Sequence, residues 1–242
     1  MRTFYITLLL VLFAFNSVSA QNSFKSDTFA TSEGPFKITF IGHGSLMFTF
    51  NDLVMHLDPW GRVADYSKLP KADIVLLTHD HSDHLDPTAL KHVLADDTVL
   101  IYTKTCSEMF PGGIIINNGE MMSVEGIKIE AVPAYTLKEV KIGQPHPPGE
   151  CNGYILTFGG KRIYIVSETE NIPEMKQIRN IDTAFLAMDG VYNISPEEAV
   201  EIITIIKPKV IYPYHFANAD LTPFIEAFKD NADIEVRIRD MK

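Results

Sequence analysis

The chain predicts an α/β fold in which two β-sheets pack face to face with helices outside. Three observations carry that expectation. Short apolar runs of strand character recur in both halves of the 242 residues. Helical segments with proline in the first turn are interspersed among them. No composition break or internal repeat marks a linker or a solenoid, and a hydrophobic fraction of 46% suffices to fill one sizeable core.

Residues 1–20 stand outside that core. Arg2 precedes an apolar stretch from Ile6 to Phe15, and Ser17-Val18-Ser19-Ala20 ends it on small residues. This is the pattern of a secretory signal peptide cut after Ala20. A retained membrane anchor is the alternative, but the run falls short of the roughly 20 residues that a bilayer needs. The mature protein is therefore expected to be exported, periplasmic or secreted, without a stable membrane anchor. Residues 21–35 are polar and read as a flexible lead-in, and residues 36–242 as one domain.

The first strands of that domain are Phe36–Ile41, Leu46–Phe50 and Leu53–Leu57. Gly42-His43-Gly44-Ser45 and then Asn51-Asp52, a hairpin signal, separate them. Ile74–Leu77 and Val99–Tyr102 flank a helix at 87–95 that Asp86-Pro87 opens, which makes a βαβ unit. Ile114–Ile116, Met121–Val124 and Ile127–Val132 continue the strand signal. A loop rich in proline, glycine and charge runs from Lys138 to Gly149. Tyr154–Phe158 and Arg162–Val166 form a hairpin about Gly159-Gly160. Pro173–Arg179 and Pro196–Ile206 are helical, and Ser195 with Glu198 makes a capping box for the second. The strand Lys209–Tyr212, the helix Leu221–Phe228 and the strand Ile234–Ile238 finish the chain.

Charge narrows the partners. The formal net charge is -10, and Arg2 is the one charged residue among the first twenty, so cleavage leaves -11. A chain this acidic suits nucleic-acid backbones poorly, because phosphate binding relies on Lys and Arg. A local basic patch around a site stays compatible with this balance. Cys106 and Cys151 are far apart in sequence and read as separate thiols, with a disulfide as the alternative in an oxidising compartment.

The chemistry concentrates in Thr78-His79-Asp80-His81-Ser82-Asp83-His84, directly after the apolar run Ile74–Leu77. Three imidazoles and two carboxylates in seven residues are the ligand types of zinc and its neighbours. They lie on a strand-to-helix loop at the carboxyl end of a strand, where α/β proteins place ligands. Further ligands must come from later loops, and the candidates are His146, Glu168, Glu170 and His215. No Gly-x-Ser-x-Gly element suggests a serine nucleophile.

This cluster resembles the HxHxDH motif of the metallo-β-lactamase fold. Ile41-Gly42-His43-Gly44-Ser45, Leu57-Asp58-Pro59-Trp60, Gly153-Tyr154, Ile163-Tyr164 and Tyr212-Pro213-Tyr214-His215-Phe216 are similar to the lactonase-like and phospholipase D-like branch of its metal-dependent hydrolases. The resemblance runs from about Lys37 to His215. It implies an αββα sandwich of two mixed β-sheets, helices on the outer faces and metals at one edge. It also implies that His79 and His81 hold a first metal, and that Asp83, His84 and His215 hold a second. Glu168, in Ser167-Glu168-Thr169, would bridge them where the family usually carries Asp.

The family's third histidine usually follows the strand at Ile127–Val132, and here Ala134-Tyr135-Thr136 stands there. His146 is then either its replacement from the adjacent loop or a loop histidine with a surface or substrate role. Asp58 either orients a ligand histidine or caps a turn. His43 either faces the site or satisfies a backbone group. Trp60, Tyr135 and Tyr192 are pocket or core, and His56 and His92 are structural.

The implied activity is hydrolysis of a small ester, lactone or phosphodiester, with Asp83 and His84 in the catalytic roles and Asp83 accepting the proton of water. One or two divalent ions would serve, zinc first, with manganese or iron as alternatives. The competing reading is a metal- or ligand-binding protein of the same fold whose chemistry is lost or altered.

Overall fold

The computed structural model describes residues 24–137 and 145–242. The expected signal segment and part of the Lys138–Gly149 loop fall outside them. Among the described residues, two seven-stranded sheets face one another. The first contains β1 (Ser26–Thr31), β2 (Gly34–Gly42), β3 (Ser45–Phe50), β4 (Leu53–Leu57), β5 (Ile74–Leu76), β6 (Val99–Tyr102) and β7 (Ile114–Ile115), side by side in that order. Strands β1 to β4 pair antiparallel and β4 to β7 parallel. The second contains β8 (Met121–Val124), β9 (Ile127–Pro133), β10 (Asn152–Phe158), β11 (Lys161–Ser167), β12 (Thr183–Ala187), β13 (Val210–Tyr214) and β14 (Glu235–Val236). It is antiparallel from β8 to β11 and parallel from β11 to β14.

Period-two alternation decides which face of the first sheet looks inward. Ile74 and Leu76 of β5 join the core between the sheets, while Val75 and Leu77 face the outer layer with Leu90 and Val93. Across the interior, the Phe36 and Phe158 rings stack with centroids 4.3 Å apart. Helices α1 (Pro87–Val93) and α2 (Lys104–Met109) supply Leu90 and Cys106 to that outer cluster. On the opposite side α3 (Pro196–Ile206) and α4 (Thr222–Phe228) bury Ile202, Ile203 and Phe224. The arrangement is the αββα sandwich that the sequence implies, and the capping box at Ser195 and Glu198 is formed.

The structure corrects several local expectations. Most of the supposed lead-in is ordered: β1 pairs with β2 from Ser26 opposite Thr39 to Thr31 opposite Gly34. Phe29 packs on the core and Asp27 meets the Arg239 guanidinium at 2.6 Å, contacts too distant in sequence for local pattern to register. Strand β12 and helix α2 were not anticipated. Pro173–Gln177 is a 3₁₀ turn rather than a helix to Arg179, and the last strand shrinks to two residues. Cys106 and Cys151 are both buried free thiols.

Candidate metal centre

The carboxyl ends of β4, β5, β11, β12 and β13 converge on one edge of the sandwich. Residues at or just past these ends turn sharply: Asp58, Ser167 and His215 have left-handed φ of 43°, 66° and 48°, and His43 after β2 has 52°. Such backbone is costly for residues other than glycine and concentrates at functional sites. Here it folds each chain back over the sheet edge. Gly44 is required by close approach, because a Cβ there would lie 2.9 Å from His84 Cε1.

The His79–His84 loop is a single turn closed on His81, whose carbonyl accepts from the His84 and Leu85 amides at 2.9 and 2.8 Å. Asp58, fully buried, organises it from beneath. Its Oδ1 accepts from the Thr78 amide at 2.8 Å and its Oδ2 from the Thr78 hydroxyl at 2.7 Å. The same Oδ2 lies 2.8 Å from His84 Nδ1, so that nitrogen carries a proton and donates. The Thr78 hydroxyl spends its proton on Asp58 and can only accept from His79 Nδ1, 2.9 Å away. One carboxylate thus keeps a proton on Nδ1 of both rings and aims His79 Nε2 and His84 Nε2 inward, where His84 Nε2 donates to Glu168 Oε1 and would exchange that proton for a metal ion. Asp58 orients both imidazoles and does more than cap a turn.

Glu168, on the short segment after β11, lies at the centre. Its Oε1 is 2.7 Å from His84 Nε2 and 2.9 Å from His215 Nε2, and its Oε2 is 3.2 Å from His146 Nε2. Asp83 Oδ2 is 3.0 Å from His43 Nε2 and 3.4 Å from His215 Nε2. Burial opposes charge on His84 and His215, but carboxylates outweigh it. Asp58 and Glu168 hold His84 well above its ordinary pKa, and Glu168 and Asp83 raise His215 to about 9. Burial would raise Glu168; His215 and hydrogen bonds from its imidazole neighbours instead hold it far below the usual carboxylate range. Burial and the neighbouring His84 keep His79 neutral, its pKa well below normal.

These side chains form two overlapping groups able to hold metal ions. His79, His81, His146 and Glu168 make one; Asp83, His84, Glu168 and His215 make the other, with the ligand atoms of each within 4.8 Å of one another. Tetrahedral ligands at about 2.0–2.1 Å from zinc stand about 3.3 Å apart, so slight contraction would seat an ion in either. The chemistry of the donors agrees. His79 Nε2 is buried without a hydrogen-bond partner, and His146 Nε2 meets only Glu168 Oε2 at 3.2 Å, a state that buried polar atoms rarely keep unless something else binds them.

All seven proposed ligands therefore meet at one edge, including His146, which is 2% exposed. Glu170 does not join them; its Oε2 accepts from the Leu137 amide. Tyr135 points elsewhere, its hydroxyl 3.0 Å from Glu174. His43 does face the site. His56 is structural, its Nε2 3.1 Å from the Pro70 carbonyl. Sequence reasoning missed Asp189, whose Oδ2 lies 3.7 Å from His215 Nδ1 while Oδ1 accepts from the amides of residues 191 to 193. The apolar run 183–188 ending in Asp189-Gly190 was the signal for it. The edge opens onto a cavity of about 410 Å³ whose wall includes Asp83, Glu168 and His215, with Trp60, Arg62 and Tyr192 beside them.

Residues 37–215 match the model of the β-lactamase superfamily domain. A solved structure from Parabacteroides distasonis, described as a candidate metal-dependent hydrolase, is 40% identical with a TM-score of 0.85, over 91% of this chain and 100% of that one. A UPF0173 metal-dependent hydrolase of Natranaerobius thermophilus is 27% identical over 201 residues, which are 77% of this chain and 86% of that protein. A metallo hydrolase from Ignicoccus hospitalis, 22% identical with a TM-score of 0.69, covers 84% of this chain and 94% of its own and shares the fold.

Proposed function

Because the chain belongs to the β-lactamase superfamily, and its near relatives carry the name of metal-dependent hydrolases, we propose that it is an exported metal-dependent hydrolase acting on a small ester, lactone or phosphodiester. The observation that carries the reading is Glu168, a buried carboxylate shared by two groups of imidazole and carboxylate donors at the floor of a cavity. His79, His81 and His146 would hold one divalent ion, Asp83, His84 and His215 a second, and Glu168 would serve both. Zinc suits this nitrogen-rich set best, with manganese and iron as alternatives. Ions bound there supply Lewis-acid polarisation of the oxygen under attack and a water of lowered pKa.

The chain's own residues do the rest. Asp58 and Thr78 keep the ligand nitrogens facing inward. Asp83, part-exposed to the cavity, accepts the proton of the attacking water at its carboxylate, and His43 Nε2 steadies that carboxylate at 3.0 Å. His84 and Glu168 anchor the pair of sites from below. A cavity of about 410 Å³ suits a small-molecule substrate. The competing reading of a binding module drew on the Glu in place of the bridging Asp and on a displaced third histidine, and His146 beside Glu168 weakens the second ground. Export rests on the pattern of residues 1–20. The test is metal content together with turnover of p-nitrophenyl esters and bis(p-nitrophenyl) phosphate with added zinc or manganese. Protein that takes up no metal and hydrolyses none of them would end the hydrolase reading.

A further inference from the structure

We infer that Arg62 is a specificity-determining residue that selects substrates carrying an anionic group, a carboxylate or a phosphate-type oxyanion, apart from the bond that is cleaved. The inference rests on the hydrolase reading and adds a substrate class to it.

Among the twelve residues lining the cavity, Arg62 is the one lysine or arginine. Its guanidinium carbon lies 5.4 Å from the Trp60 ring centroid. Arg62 is exposed, and a guanidinium resting over a ring keeps its edge N–H donors free for a planar or tetrahedral oxyanion. From Trp60 a line of ring contacts leads to the metal ligands: Trp60 to His43 at 4.7 Å, then His43 to His215 at 3.6 Å. An anion on Arg62 and a scissile group at the ligand edge therefore occupy two ends of one cavity.

The charge is also unspent. Arg162, Arg237 and Arg239 each meet a carboxylate at 2.6–2.8 Å. Among the described residues none pairs with Arg62, although the chain carries ten more acids than bases. The acids sharing its cavity are engaged elsewhere: Asp83 and Glu168 with the histidines, and Asp189 with three backbone amides. The turn that carries Arg62 is braced. The Val63 amide donates to the Trp60 carbonyl at 3.2 Å, and the Gly61 amide donates to Asp86 Oδ2 at 2.9 Å. Asp86 is also the N-cap of α1, so the turn is tied to the layer beneath it. An unpaired, stacked and braced arginine at a substrate cavity of an acidic protein is a ready anion anchor.

Trp60 is the single tryptophan of the chain, so intrinsic fluorescence reports on this end of the cavity. The decisive experiment titrates zinc-loaded full-length mature protein with three ligands while following that fluorescence: monomethyl glutarate, a phosphonate of equal length and a neutral diester. The same three tails are placed on p-nitrophenyl esters for turnover. Wild type should bind and cleave the anionic series better than the neutral one, and the two anionic arms show whether carboxylate or phosphate-type oxyanion is preferred. Arg62→Ala should weaken the anionic ligands about 10- to 100-fold, through KM in turnover, and leave the neutral ester within about twofold. Arg62→Lys should keep part of the preference. Equal loss on all three tails, or anion affinity unchanged in Arg62→Ala, would overturn the inference. If no ester is cleaved, the fluorescence titration still decides the role of Arg62, and only the hydrolase reading falls.

Discussion

Replacing Asp58 by Asn removes one negative charge and one hydrogen-bond acceptor from beneath the ligand loop without enlarging the site. Asn tolerates the left-handed φ of 43° at this position, so the backbone need not move. In the native protein two carboxylate oxygens receive three donors, the Thr78 amide and hydroxyl and His84 Nδ1–H, at 2.7–2.8 Å. The amide of Asn offers one oxygen and turns its NH₂ against a donor. At least one buried donor is then unsatisfied, which costs about 1–3 kcal/mol. Loss of a partner behind a metal-bound histidine weakens metal affinity about 10- to 100-fold, or about 1.4–2.8 kcal/mol, and the two figures agree. The assay is competition for zinc against a chromogenic chelator, with circular dichroism to show that the fold persists. The ion held with His84 should be released about 10- to 100-fold more readily, and Thr78→Val, which cuts the link to His79, should loosen the other. Two equivalents of zinc bound within about twofold of wild-type affinity in folded Asp58→Asn would refute the reasoning.

Three further outcomes follow from other contacts. Glu168→Asp shortens the shared carboxylate by about 1.5 Å, the length of one C–C bond, so it cannot reach His146 on one side and His84 and His215 on the other; metal stoichiometry by mass spectrometry should fall towards one ion and turnover should drop at least about tenfold. Gly44→Ala puts a Cβ 2.9 Å from His84 Cε1 and should cost about 1–3 kcal/mol in urea unfolding, together with zinc affinity. His56 carries a pH signature: burial lowers its folded-state pKa from 6.5 to about 4, so the unfolded chain takes up a proton that the folded one refuses. Its contribution is complete above pH 6.5 and is lost as pH falls towards 4, a change of about 3 kcal/mol at most. Urea unfolding at pH 7 and pH 5 should show a steeper loss for wild type than for His56→Gln, by about 2 kcal/mol; parallel slopes would show that His56 is not the group responsible.

Much of the molecule is legible in the chain because its causes are local. Period-two alternation identifies Phe36–Ile41, Leu46–Phe50 and Ile127–Val132 as strands, and Ser195 with Glu198 announces the start of α3. The His79–His84 loop declares its chemistry for the same reason, since its ligands lie within one turn. Where local signal is weak the reading fails. Strand β12 is buried on both faces and shows no alternation, and with it Asp189 was overlooked. Strand β1 is mostly polar, and Phe29 and Asp27 identify it only through partners elsewhere.

By itself, then, the sequence determined the two-sheet class and the gathering of candidate metal-ligating side chains in one loop at a strand end. Only the tertiary structure decided that His146 stands with His79 and His81, and that Glu168 serves both groups. It alone showed that Asp58 governs both tautomers and that Arg62 shares the cavity. Glu168 and His84 are 84 residues apart, and His215 and Asp83 are 132 apart. Spacing along the chain constrains neighbours within a turn or a hairpin. Separations of that length are set by which strands pair and where left-handed residues turn the chain at the ends of β4, β11 and β13.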